Sequence, residues 1–94
     1  SLDIRHQLTI MDIARDFARQ GGGVVAVLHD LNLTAMYADR IYVMQDGRLA
    51  ASGAPDEVLV DSTLEKVFGC RLRVGALPPG GAPFVLPQSA MRAA

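Results

Sequence analysis

Apolar residues recur at helical spacing almost from the first position: Ile4, Leu8, Met11, Ala14 and Phe17 share one stripe, and Asp3 stands where an N-cap belongs. Gly21, Gly22 and Gly23 then supply a permissive backbone for a stop and a turn. The next run, Val24 to Leu28, is rich in β-branched residues and apolar at every position. A strand that is apolar on both alternating faces belongs in the middle of a parallel sheet covered by helices. The run therefore predicts a buried parallel strand with at least one neighbour. The pattern turns polar at His29 and Asp30 and resumes with Leu33, Met36 and Tyr37 at i, i+3 and i+4 spacing. That predicts a short helix capped by Asp30, which leaves His29 at the carboxyl end of the strand.

Ile41 to Gln45 and Arg48 to Ser52 are short extended runs on either side of Asp46-Gly47, a dipeptide that favours the type I′ turn of an antiparallel hairpin. Pro55 at a first helical position, with Asp56 and Glu57 behind it, predicts a helix that carries Val58 and Leu59 inward. Ser62 and Glu65 fit an S-x-x-E capping box, Leu64, Val67 and Phe68 an apolar face, and Gly69 a helix C-cap. From Arg71 the pattern thins to short extended pieces, Arg71 to Val74 and Phe84 to Leu86, among prolines and glycines, and the end from Pro87 is expected to fray. The expected fold class is α/β: helix, buried parallel strand, short helix, β-hairpin, two short helices and an irregular tail. Residues 1–75 form the body of this arrangement and 76–94 a Pro/Gly-rich tail.

Composition narrows the picture without naming a function. Ninety-four residues suit one small domain with a thin stability margin, and half of them are apolar against a fifth charged, a globular balance. The formal net charge is −1, and the basic residues are scattered among acids, so no stripe for nucleic acid is present. The longest wholly apolar run is too short to span a bilayer. One cysteine, Cys70, leaves no intramolecular disulfide or cysteine zinc cluster to form and fits a reducing compartment. A helical pattern that opens without an initiator methionine predicts a piece cut from a longer protein.

The residue that invites a chemical reading is His29. Ligands of open α/β sheets bind beyond the carboxyl ends of the strands, where a histidine can donate to a phosphate oxygen or orient a water; it can equally be a structural hydrogen-bonding residue. His6, in the opening turns, reads as solvated. Met11, Met36 and Met44 read as packing residues, Cys70 as a small buried or half-exposed thiol, and Arg71 and Arg73 as one solvated face. No metal-ligand set emerges.

Taken in order, Val24 to Leu28, His29-Asp30-Leu31-Asn32, Tyr37-Ala38-Asp39-Arg40, Asp46-Gly47-Arg48, Gly53-Ala54-Pro55 and Glu57-Val58-Leu59 resemble the end of an ABC transporter nucleotide-binding domain. The likeness covers residues 3 to about 69 and is greatest to the import ATPases for iron-siderophore, haem and cobalamin complexes, to which the late Val67-Phe68-Gly69 is also similar. The resemblance implies a P-loop NTPase-like domain that couples hydrolysis of ATP, with Mg²⁺, to import of a metal chelate such as iron-siderophore or haem. It implies that His29 is the switch histidine, which approaches the γ-phosphate and helps hold the attacking water. Asp3 resembles the aspartate of the D-loop, which crosses to the second subunit of an ATP-sandwich dimer, and Ser1 and Leu2 would precede it there. The implied partners are two membrane-spanning permease subunits and a second ATP-binding subunit, docked at the cytoplasmic face.

Other parts of that family's machinery are absent from these 94 residues. No G-x-x-x-x-G-K-[ST] occurs, no apolar strand ends in Asp-Glu, and there is no L-S-G-G-Q. The isolated chain is therefore expected to be inactive, to bind no cofactor and to self-associate through its uncovered apolar surface. Two other functions compete with the transporter reading. A hydrolase using His29 and Asp30 lacks a third group to orient the histidine. A non-enzymatic regulatory or dimerisation module would use the hairpin and the two late helices.

Overall fold

The computed structural model describes residues 3–89. Helix α1 (Ile4–Arg19) begins as expected, because the Asp3 carboxylate accepts the His6 amide at 2.9 Å and satisfies one of the free N–H groups of the first turn. Its end is a Schellman closure: the Gly22 amide donates to the Phe17 carbonyl and the Gly21 amide to that of Ala18, both at 3.1 Å. Gly21 takes the left-handed conformation this closure requires, at φ 95°. A methyl group built on Gly22 would collide with the Phe17 ring, so the ring closes over bare backbone. Helix α2 (Leu31–Tyr37) is capped by Asp30, whose Oδ1 accepts the Leu33 amide at 3.0 Å.

The hairpin pairs β1 (Ile41–Gln45) with β2 (Arg48–Gly53) antiparallel. At the turn, Asp46 and Gly47 both adopt positive φ, 52° and 75°, the signature of the type I′ geometry that matches the twist of the strands. Val43 faces Ala51 and Met44 faces Leu49, so Ala50 is an extra residue in β2 and forms a bulge. Opposite Ile41 stands Gly53, at φ 152°, where a Cβ would meet Glu57 Oε1 at 3.1 Å and Val58 Cγ2 at 3.5 Å. The missing side chain lets α3 (Pro55–Val58) pack directly on β2. Glu57 reaches back to accept the Ala54 amide at 2.8 Å, half of a capping box whose other half an alanine cannot supply.

Helix α4 (Asp61–Phe68) corrects one expectation. Its N-cap is Val60, two residues before the expected cap at Ser62, so Ser62 lies inside the first turn and makes no capping box. The cause is local: the Val60 amide closes on the Val58 carbonyl at 2.9 Å, with Leu59 at φ −84° and ψ 71°, an inverse γ-turn that delivers the chain into the helix early. Gly69 ends the helix as expected, left-handed, with its amide on the Glu65 carbonyl. Gln45 of β1 donates to the Val67 carbonyl at 2.9 Å, tying α4 to the hairpin.

The chain divides into two compact units, Ser1–Leu33 with Val85–Ala94, and Thr34–Phe84. In the first, Leu8 and Leu33 are buried; in the second, Ile41, Val58 and Leu64 are. The expected apolar stripe of α1 is only partly covered, since Ile4 and Phe17 are exposed, as are Ile10 and Ile13 on the rest of its circumference.

The buried strand expected at Val24–Leu28 is not formed. Among the described residues the sheet is the two-stranded hairpin alone, and Val25 and Val27 are 99% and 87% exposed. A parallel strand draws its hydrogen bonds and its cover from distant segments, and none of the described residues supplies them. No strand forms at 71–74 or 84–86 either. Residues 74–75 make a turn, and the Val74 amide is held by Asp61 Oδ1 at 2.7 Å; a 3₁₀ turn follows at Pro79–Gly81. Of the end expected to fray from Pro87, residues 87–89 form no helix or strand but Ser89 is half-buried and bonded to α1, and residues 90–94 lie outside the described residues.

Candidate functional site

His29 sits between the Val24–Leu28 run and the Asp30 cap, one residue outside α2. Asp30 turns its carboxylate toward the helix, and Leu33, whose amide it holds, is buried in the same unit. That fixes the peptide on which His29 is mounted. The imidazole itself is exposed and makes no hydrogen bond among the described residues. It can therefore offer one donor or one acceptor to a group outside the chain. The Asp30 carboxylate is engaged with the backbone of α2, which speaks against a His29–Asp30 acid–base pair. Among the described residues no third residue bonds the ring to orient it.

Asp3 occupies the other end of the same unit's helix. Its carboxylate takes the His6 amide and lies 3.3 Å from His6 Nδ1, with both side chains about two-thirds exposed, a surface pair that contributes little to stability. Asp3 and His29 make no contact with each other. Ser1 and Leu2, the other residues of the implied D-loop, lie outside the described residues.

The remaining candidates sort by exposure. Met11 and Met36 are half-buried, as packing residues should be, whereas Met44 is exposed because it alternates with the inward Ile41 and Val43 on β1. Cys70 is exposed and forms no disulfide, not the small buried or half-exposed thiol expected from its place after a helix. Arg71 and Arg73 are solvated. No group of three or more His, Cys, Asp or Glu that could hold a metal occurs among the described residues. No helix among them is long and apolar enough to cross a membrane.

One polar residue escaped the sequence pattern. Asp12 is 4% exposed and is the buried polar side chain of α1, accepting from Ser89 Oγ at 2.7 Å. The signal was its position four residues after Leu8, an acid on an otherwise apolar face, but spacing could not supply the partner 77 residues away.

Known proteins were compared with this chain. No family model matches it. Among curated proteins, it is 72% identical over 91 residues to the hemin import ATP-binding protein HmuV of Mesorhizobium japonicum, which covers 97% of this chain and 35% of that protein. It is 66% identical over 90 residues to the protein of the same name from Rhizobium meliloti, covering 96% and 34%, and 54% identical over 92 residues to that of Jannaschia, covering 98% and 34%. The chain spans about a third of the length of the curated relatives it matches.

Proposed function

We propose that the chain, 72% identical over 97% of its residues to a hemin import ATP-binding protein of which it spans 35%, belongs to the ABC transporter ATP-binding family and forms the carboxyl-terminal third of a subunit that couples ATP hydrolysis to haem import. The observation behind this reading is 72% identity sustained over 91 residues. Val24–Leu28 is then a central parallel strand whose neighbours and covering helices come from the rest of the subunit. The exposure of Val25 and Val27, together with that of the apolar residues around α1, is what a strand and helix separated from their sheet would present.

In this reading His29 is the group that meets ATP. Its exposure and its seat beside a helix cap fit a single donor aimed at a phosphate oxygen, with the cap holding the peptide still. ATP supplies the phosphoryl group whose transfer to water drives transport, and Mg²⁺ neutralises charge on it. One imidazole cannot hold either, so the phosphate loop, the metal-binding side chains and the catalytic carboxylate belong to the remaining two-thirds. His29 contributes orientation of the attacking water and stabilisation of the charge that develops on the γ-phosphate. Asp3, exposed at the start of α1, contributes a contact to a second copy of the subunit. The subunit pair docks on two membrane-spanning permease subunits from the cytoplasmic side, and the separated 94-residue chain self-associates.

The test is His29→Ala in the intact subunit, reconstituted with its permease. Loss of one preorganised contact to developing charge lowers ATP turnover by about 10²-fold or more while ATP affinity changes little. Turnover equal to that of the parent would remove His29 from the mechanism.

A further inference from the structure

The last described residues of the chain return to α1, and the way they are held there is unusual. Residues 85–89 form no helix or strand and make no backbone–backbone hydrogen bond among the described residues. Their apolar side chains give little anchorage, since Val85 and Leu86 are exposed and Pro87 is only half-buried. The polar anchor is Ser89, half-buried, whose Oγ donates to Asp12 Oδ1 at 2.7 Å, the distance of a strong hydroxyl-to-carboxylate bond. Asp12 is in turn 4% exposed, so its carboxylate depends on partners inside the protein.

We propose that residues 85–89 are a strap that closes on α1 through the Ser89–Asp12 bond, and that negative charge at position 89 opens it. A segment fixed by backbone ladders or buried apolar area would ignore the loss of one hydroxyl. A segment with no ladder and little buried apolar area responds to it, because a hydrogen bond to a charged group shifts an equilibrium by about 10- to 100-fold. An acidic side chain at 89 does more than remove the donor. It sets a like charge against a carboxylate that has little water to screen it. The strap therefore has two states, and α1 presents Asp12 to solvent in only one of them. The inference uses the geometry of this unit alone and stands whether or not the protein transports haem.

The experiment is a distance measurement in the intact protein. Spin labels are placed at the exposed positions 16 and 88 through Asp16→Cys and Gln88→Cys, with Cys70→Ser removing the native thiol. The parent gives one short, narrow distance distribution. Ser89→Ala moves the closed-to-open ratio toward open by about 10- to 100-fold, Ser89→Glu moves it at least as far, and Ser89→Thr, which keeps the hydroxyl, restores the closed distribution. Helical circular dichroism stays unchanged in all of them, which separates opening of the strap from loss of fold. Identical distributions in the parent, Ser89→Ala and Ser89→Glu would overturn the proposal, as would a parent that is already open.

Discussion

Residues 34–84 and residues 3–33 are built from similar amino acids, yet they settle their polar backbone and apolar side chains by different routes. In the later unit each structural need is met nearby. The hairpin turn closes over two residues, Glu57 reaches three residues back, the γ-turn at Leu59 leads directly into α4, and Gln45 reaches across to Val67. In the earlier unit, α1 and the start of α2 are just as well capped, but the run between them has no partner among the described residues. Local chemistry can therefore finish a helix or a hairpin, whereas a central strand waits for segments far away in sequence.

The largest test of that contrast is a pair of truncations. Leu64→Ala removes a side chain that is 4% exposed, at a cost of about 2 to 4 kcal/mol on denaturant unfolding. Val25→Ala in the same 94-residue chain changes stability by less than about 0.5 kcal/mol. If residues 24–28 become a covered strand in the whole subunit, the same Val25→Ala becomes costly there. Equal effects of Val25→Ala in both settings would break the contrast.

A smaller effect is expected at the helix cap. Asp30→Ala removes the acceptor of the Leu33 amide and costs about 1 kcal/mol, with Asp30→Asn or Asp30→Ser recovering most of it. This sharpens the comparison because α2 is the element through which His29 is positioned. Loss of the cap should loosen that peptide while the hairpin is untouched, which amide exchange resolved by residue can read. The smallest change is expected at Ser62. Since α4 is capped by Val60, Ser62→Ala stays within about 0.5 kcal/mol of the parent. A loss of 1 kcal/mol or more would restore Ser62 as the cap.

These differences also explain which features could be read from the amino acids. Asp3, Asp30, Asp46-Gly47, Pro55 and Gly69 act on the backbone within three or four residues of themselves, and each one does in the structure what its residue type suggests. Ser62 misled because the signal that starts α4 is the γ-turn geometry at Leu59, which no residue type announces. The burial expected of Val24 to Leu28 depends on strands that spacing can require but not supply, and the Asp12–Ser89 bond joins positions with no periodic relation. At the site, the order of the motifs around His29 was enough to indicate the family. Its exposed ring and committed neighbour Asp30 are contributions of the fold.

The Schellman closure of α1 also bears on how this chain has changed through its history. Because the Phe17 ring occupies the space where a side chain on residue 22 would begin, the two positions are a single steric decision. A lineage that acquires any larger residue at 22 must first, or at once, accept a smaller one at 17 or a rotated ring. A side chain at 22 is therefore conditional on what stands at 17, whereas a glycine at 22 leaves 17 free to vary. The glycine triplet, which looks in isolation like a flexible joint open to free substitution, has at its centre a position that answers to a residue of the helix it closes.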